Sequence, residues 1–266
     1  MSDTPILLDN NGQGTATITL NRPGVHNAFD DDLIQQLTDT IIQVGADAGI
    51  RALVLTGAGP SFSAGADLNW MKRMAQASEQ QNRDDSLRLA ALMRKLAFCP
   101  KTTVARINGP AFGGGVGLAA CCDIAVTVDS ARFGLTEARL GLVPAVISPY
   151  VIAAIGARHA SRLFQTAQVF SASRALELGL VHRSVPADEL DQAVFDEISR
   201  VLECGPQATR AAKSLVAAVS GRTEDNQERL DQATANLIAS LRVSPEGQEG
   251  IQAFLEKRAA AWRQEN

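Results

Sequence analysis

Polar and apolar residues alternate along Thr15–Leu20, TATITL, with the two-residue period of a half-buried strand. The spacing then lengthens. Leu33, Leu37, Ile41 and Val44 share one face of a helix over residues 31–47, which Asp30 can cap. Arg51–Thr56, Thr102–Ile107 and Ile124–Val128 predict further strands, and Ala131–Phe133 is expected to extend the same sheet. Residues 67–98 read as a polar helical stretch, with MAQASEQQNRDDS as a candidate mobile loop. From about residue 140 the pattern is helical, over 148–156, 158–167, 172–178, 188–203, 206–220, 223–241 and 245–263. Strands alternating with helices, followed by helices alone, predict an α/β core with an α-helical C-terminal part.

Composition narrows the class. A chain of 266 residues, 45% hydrophobic, can bury a large core, and its net charge of −4 with no basic cluster argues against a nucleic-acid surface. Met1–Leu20 lacks a basic segment followed by a long apolar run, so no signal peptide is read and a cytoplasmic location is expected. No apolar run is long enough to span a membrane. Cys99, Cys121, Cys122 and Cys204 form no CxxC pair and are expected to be buried, reduced thiols. His26, His159 and His182 are scattered, so no metal site is expected, and no GxSxG supports a serine triad.

Two stretches echo one another without gaps: GPSFSAGADL (59–68) and GPAFGGGVGL (109–118). Each follows a predicted strand and opens a predicted helix, as two turns of one supersecondary repeat would. A glycine-rich strand-to-helix turn exposes free N–H groups. The P-loop signature is absent, and residues 113–118 miss GxGxxG because Leu118 stands at the last glycine. Two readings remain open on the residues alone: an oxyanion hole with one backbone N–H from each turn, or close helix–strand packing.

At this point the chain resembles a known family. LNRPGVHNAF (20–29), FSAGADL (62–68), INGPAFGGGVGLAACCDIAV (107–126), ARFGLTEARLGLVP (131–144) and SPEGQEGIQAFLEKRAAAW (244–262) resemble the motifs of the crotonase (enoyl-CoA hydratase/isomerase) superfamily, in family order over nearly the whole chain. SAGADLNWMKRMA, FGGGVGLAACCDIA and GLVPAVISPYVIAAIG are most similar to bacterial methylglutaconyl-CoA hydratase-like members. The resemblance implies a spiral of ββα units over residues 1–200 and a helical trimerisation region over 201–266. It implies an oxyanion hole from the N–H groups of Ala66 and Gly114, holding the thioester oxygen of an acyl-CoA. Val25, His26, Ala64, Asp67 and Leu68 would line the coenzyme A site. Phe254 and Lys257 match positions that family members place on a neighbouring subunit's coenzyme A, implying a homotrimer or a dimer of trimers. Coenzyme A enters as part of the substrate, and no metal or redox cofactor is implied.

The chain departs from the family at one place. Hydratases of this family carry two glutamates, and here Glu137 fills the second position while Gly117 stands at the first. Hydration needs a proton taken from water and a proton given to carbon. Either Glu137 does both, or the reaction is a double-bond isomerisation that one carboxylate can carry, or Gly117 makes room for a branched or acidic acyl group. Hydration of a glutaconyl-type thioester is the favoured reading. For Glu137 the structural alternative is an ion pair with Arg139, and Asp67 and Asp123 read as structural. Arg139, Lys72 and Arg73 are rival partners for a substrate carboxylate. Trp70 and Phe112 read as packing or acyl-pocket walls. Leu230, Ala233, Leu237 and Leu241 are core or trimer contact. RNA binding, known for one mammalian relative of the group, is the reading from another class. The acidic balance argues against it, since Arg83, Arg88, Arg94 and Lys95 are offset by Glu79, Asp84 and Asp85.

Overall fold

The computed structural model describes residues 4–263; the outermost residues of the two expected regions, 1–3 and 264–266, lie outside those described. In chain order the elements begin with β1 (Ile6–Asn10), β2 (Thr15–Leu20), α1 (Asp31–Ala46), β3 (Ala52–Gly57), α2 (Leu68–Gln76), α3 (Glu79–Ala97) and β4 (Thr102–Ile107). They continue with β5 (Ala111–Phe112), α4 (Gly114–Cys121), β6 (Ile124–Val128), β7 (Arg132–Gly134), α5 (Ser148–Ile155), α6 (Ala157–Thr166), β8 (Val169–Ser171) and α7 (Ala172–Glu177). Last come β9 (Arg183–Val185), α8 (Leu190–Glu203), α9 (Pro206–Val219), α10 (Glu224–Val243) and α11 (Pro245–Leu255).

The main sheet runs β1-β2-β3-β4-β6-β9, parallel except for the β1–β2 hairpin. A second layer forms beside it. Phe29 bridges to Ala66, Ser63 bridges to Ala111, and β5 pairs with β7, which pairs in turn with β8. Each turn of chain therefore lays one strand in the main sheet, one short segment in the second layer, and then a helix. This is the α/β spiral that the resemblance implies. The 59–68 and 109–118 echo is two successive turns of it: Phe62 and Ser63 both donate to the Pro110 carbonyl, and Phe112 donates back to Ser63.

Most predicted elements form where their periodicity places them. Asp30 caps α1 by accepting from the Leu33 N–H at 2.9 Å, and Leu33, Leu37, Ile41 and Val44 are buried. The last helix, expected over 245–263, ends at Leu255, and two further expectations are corrected. Residues 74–86 are no loop. They end α2 and begin α3, separated by a Ser78–Gln81 capping box. Their polarity serves packing, because Asn82, Asp85 and Ser86 are buried against α10 and the α2–α3 junction. The strand near Ala131–Phe133 joins the second sheet instead of the main one, which places the following turn over the Gly113 backbone.

The cysteines are all free; Cys99 and Cys121 are buried, but Cys204 is exposed, contrary to expectation. Burial pushes the Cys99, Cys121 and Cys122 thiols upward, which leaves them unreactive. Asp123 accepts from the Thr103 N–H and hydroxyl and pairs with Lys213 at 2.7 Å, a structural role. Among the described residues no helix is long and apolar enough to cross a membrane.

Candidate active site

The cavity of interest, about 870 Å³, lies between the second layer, the α2–α3 pair and α10–α11. Its floor is backbone. Phe29 donates to the Gly65 carbonyl at 2.6 Å and accepts from Asp67 at 2.9 Å. In an extended segment the intervening N–H points the other way, so the Ala66 N–H is turned from Phe29 toward the cavity that Ala66 lines. Opposite it, Gly113 donates to Gly134 at 2.9 Å and α4 begins at Gly114. The N–H of Gly114 belongs to the first helical turn, where donors have no intrahelical partner. Among the described residues neither the Ala66 nor the Gly114 N–H meets an acceptor.

Glycine is needed here for closeness. A Cβ on Gly114 would lie 2.8 Å from Phe29 Cδ2 and nearer still to Cε2. At Gly113, where φ is +49°, a Cβ would lie 3.1 Å from Oε1 of Glu137. The Glu137 carboxyl thus rests over the bare Gly113 backbone, at the mouth of α4.

Glu137 opens a 3-10 turn, Glu137–Leu140, that β7 delivers to the cavity. Its side-chain oxygen Oε2 is buried and has no hydrogen-bond partner. Burial, with no cation to offset it, pushes its carboxyl up to about 7. The ion pair with Arg139 does not form; Arg139 is exposed and donates to the Ala167 carbonyl at 2.8 Å. A carboxyl held half-protonated near neutrality can both take and give a proton.

The remaining residues singled out in the sequence divide sharply. Ala64 and Phe254 line the cavity. Val25 and His26 sit outside it on the adjoining exposed turn, and the chain there is tied down by Ala64 N–H to His26 O at 2.9 Å. His26 Nδ1 meets Ser61 Oγ at 2.9 Å. Leu68 is exposed beside the mouth. Asp67 caps α2 through the N–H groups of Asn69 and Trp70 and pairs with Arg22 at 3.2 Å. Lys257 follows α11 at a φ of +56° and does not line the cavity. Phe254 faces the cavity of its own chain, since α11 folds back onto the Glu137–Leu140 turn. Trp70 and Phe112 are walls, as expected, while Lys72 and Arg73 lie off the cavity, Arg73 being paired with Asp31 at 2.6 Å.

Gly117 requires a correction. It does not open space for an acyl group. A Cβ there would lie 2.9 Å from Ile147 Cβ, closer to Ile147 Cγ2, and 3.3 Å from Met93 Cε. Ile147, just before α5, fills the room that a side chain at 117 would take, and Ile147 itself lines the cavity. Glu137 is the one carboxylate among the described cavity-lining residues. Sequence reasoning missed Ile147 and Arg242, because their partners are brought close only by folding.

The basic residues of α3 are engaged. Arg83 donates to Asn236 and Gln232, Arg88 to Asp85, Arg94 pairs with Asp231, and Lys95 lies 3.9 Å from Glu224.

An α/β spiral that holds unpartnered amides and a proton-carrying carboxyl on one cavity wall has the architecture of an enzyme. Residues 10–265 match the family described as Enoyl-CoA hydratase/isomerase. The chain is similar to a crotonyl-CoA hydratase of Syntrophomonas wolfei, 32% identical over 247 residues, which cover 92% of this chain and 93% of the relative. Among solved structures it is similar to an enoyl-CoA hydratase from Shewanella pealeana, 41% identical with a TM-score of 0.79, covering 97% of this chain and 96% of that one. An enoyl-CoA hydratase from Mycobacterium avium superposes with a TM-score of 0.84 at 35% identity, over 98% and 100% of the two chains. The chain belongs to the enoyl-CoA hydratase/isomerase family and is an enzyme of the hydratase type.

Proposed function

We propose that this enzyme adds water across the 2,3-double bond of an enoyl-CoA, with Glu137 as sole acid–base and the Ala66 and Gly114 N–H groups as the oxyanion hole. The observation that carries the reading is the Glu137 carboxyl, its Oε2 buried without a hydrogen-bond partner and its Oε1 lying over Gly113, with burial raising it to about 7. In the proposed cycle the carboxylate takes a proton from water as the water oxygen bonds to C3. The double-bond electrons move to C2 and the thioester oxygen, and the two N–H groups hold the enolate. Glu137 then gives its proton to C2, the carbonyl re-forms and the carboxylate is restored. Each N–H donor in such a hole contributes about 10²- to 10³-fold in rate.

The filled space beside Gly117 also fits a second reading. A single carboxylate can move a proton between C4 and C2 of a 3-enoyl thioester without water. An absorbance assay separates the two. Loss of the conjugated enoyl signal with crotonyl-CoA or 3-methylglutaconyl-CoA supports hydration. Failure with both, alongside conversion of a 3-enoyl to a 2-enoyl thioester, replaces it with isomerisation.

A homotrimer or a dimer of trimers is the assembly proposed. Helix α9 buries none of its residues and exposes Leu215, Val216 and Val219 at 63%, 70% and 80%. On α10, Leu230, Ala233 and Leu237 of the apolar stripe are exposed too, while Leu241 packs against the core; the buried face is Gln227, Asp231, Ala235, Ile238 and Ala239. Apolar faces of this extent mark contact surfaces. The pair of changes Val216→Asp and Val219→Asp is expected to lower the mass measured by light scattering while the circular dichroism is kept. An unchanged mass would move the interface elsewhere.

A further inference from the structure

In the proposed cycle Glu137 takes one O–H proton of the attacking water. The other O–H needs an acceptor if the oxygen lone pair is to be aimed at C3. No second carboxylate lines the cavity among the described residues, and Ile147 fills the place beside Gly117. Arginine and tryptophan N–H groups only donate, so the arginines and tryptophans of the wall cannot serve. The neutral side chains with an acceptor oxygen on the wall are Thr136, Gln165 and Thr166. Gln165 and Thr166 are exposed and turn back along α6. Gln165 Nε2 donates to Ser161 Oγ and Thr166 Oγ1 to the Arg162 carbonyl, each at 2.8 Å.

Thr136 is placed differently. It immediately precedes Glu137, is half-buried on the cavity wall, and leads the Glu137–Leu140 turn without capping it. Its hydroxyl bonds to nothing among the described residues, yet it is not sealed in as Glu137 Oε2 is. Its methyl carbon Cγ2 sits where a side chain on Gly134 would point: a Cβ there would lie 3.3 Å from it and 2.8 Å from Phe112 Cδ1. A threonine held by its methyl is fixed at χ1, so the hydroxyl is turned away from that apolar contact. Neighbouring side chains on a helical turn diverge, which leaves room for a water between the Thr136 hydroxyl and the Glu137 carboxyl.

We propose that Thr136 Oγ1 holds the attacking water, accepting its second O–H while Glu137 takes the first, in place of a second carboxylate. This rests on the hydration reading above and adds the residue that aims the water. The balance of the step is that of the cycle already described. Thr136 keeps its own proton, one water proton passes through Glu137 to C2, and the other stays on the oxygen that becomes the C3 hydroxyl. A double-bond shift, which uses no water, makes no demand on Thr136.

The test follows two reactions of the same enzyme. One is hydration of crotonyl-CoA. The other is exchange of the C2 protons of butyryl-CoA for deuterium from heavy water, read by NMR, which uses Glu137 and the oxyanion hole but no attack by water. Thr136→Val keeps the methyl contact and removes only the hydroxyl. It is expected to lower kcat for hydration roughly 10- to 100-fold, with KM and the exchange rate unchanged. Thr136→Ala should shift the ratio of the two reactions in the same way, and Thr136→Ser, which keeps the hydroxyl, should recover most of the hydration. Equal loss of hydration and exchange would mark a merely structural residue and overturn the proposal. Hydration that survives both Thr136→Val and Thr136→Ala overturns it too, while leaving the proposed reaction in place. Exchange without hydration of any enoyl thioester by the unaltered enzyme would instead remove the reaction itself, and the held water with it.

Discussion

Replacing Glu137 by glutamine is expected to lower kcat on enoyl thioesters by about 10²- to 10⁴-fold while the protein stays folded. The amide keeps the shape over Gly113 but can neither take a proton from water nor give one to carbon. In the unaltered enzyme kcat/KM should rise with pH through about 7, because the carboxylate is the form that begins the cycle. Stability runs the opposite way. The folded protein holds the Glu137 proton more tightly than the unfolded chain, whose carboxyl titrates near 4.5. The stabilisation from binding that proton is complete below about 4.5 and is lost as the pH rises through about 7. At pH 8 the Glu137→Gln variant should therefore be the more stable protein, by on the order of 3 kcal/mol, and the gap should close toward pH 4.5. Steady-state rates and urea unfolding at the two pH values read both effects. Full activity in the variant would end the assignment of Glu137.

The second large effect is expected at Gly117. Gly117→Glu would restore the carboxylate that two-glutamate hydratases carry, but Ile147 and Met93 already occupy that space. Overpacking and burial of a new carboxyl together should cost roughly 3 kcal/mol or more, and turnover should fall with the displaced Ile147 wall. Gly117→Glu combined with Ile147→Ala should recover part of the stability, since the two positions compete for one volume. Chemical unfolding of the three variants measures this coupling. A Gly117→Glu protein as stable as the original would show that the space is not filled.

These two positions differ in how far they could be read from sequence. Glu137 stands out in FGLTEARLG through the family resemblance, yet its raised proton affinity comes from burial over Gly113, which spacing does not reveal. Gly117 is visible as a missing glutamate. What replaces it was invisible, because Ile147 lies thirty positions away on the approach to α5. Arg242 was hidden for the same reason. On the chain it follows an apolar stripe; in the fold it lies against Trp70 and Asp85, from two helices far earlier.

The misread segments follow the same rule. Residues 74–86 look solvent-like because the sequence shows polarity without its partners. Asn82, Asp85 and Ser86 are polar and buried because α10 and the α2–α3 junction meet their hydrogen bonds.

The sequence by itself determined most of the periodic elements, the N-cap of α1, the strand–helix alternation and the repeated glycine turn, all set by neighbours a few residues apart. Only the tertiary structure decided which N–H groups face the cavity, what burial does to Glu137, what fills the place beside Gly117 and where Arg242 lies. Those depend on contacts between distant turns of the spiral, and burial, charge pairing and free volume are properties of such contacts.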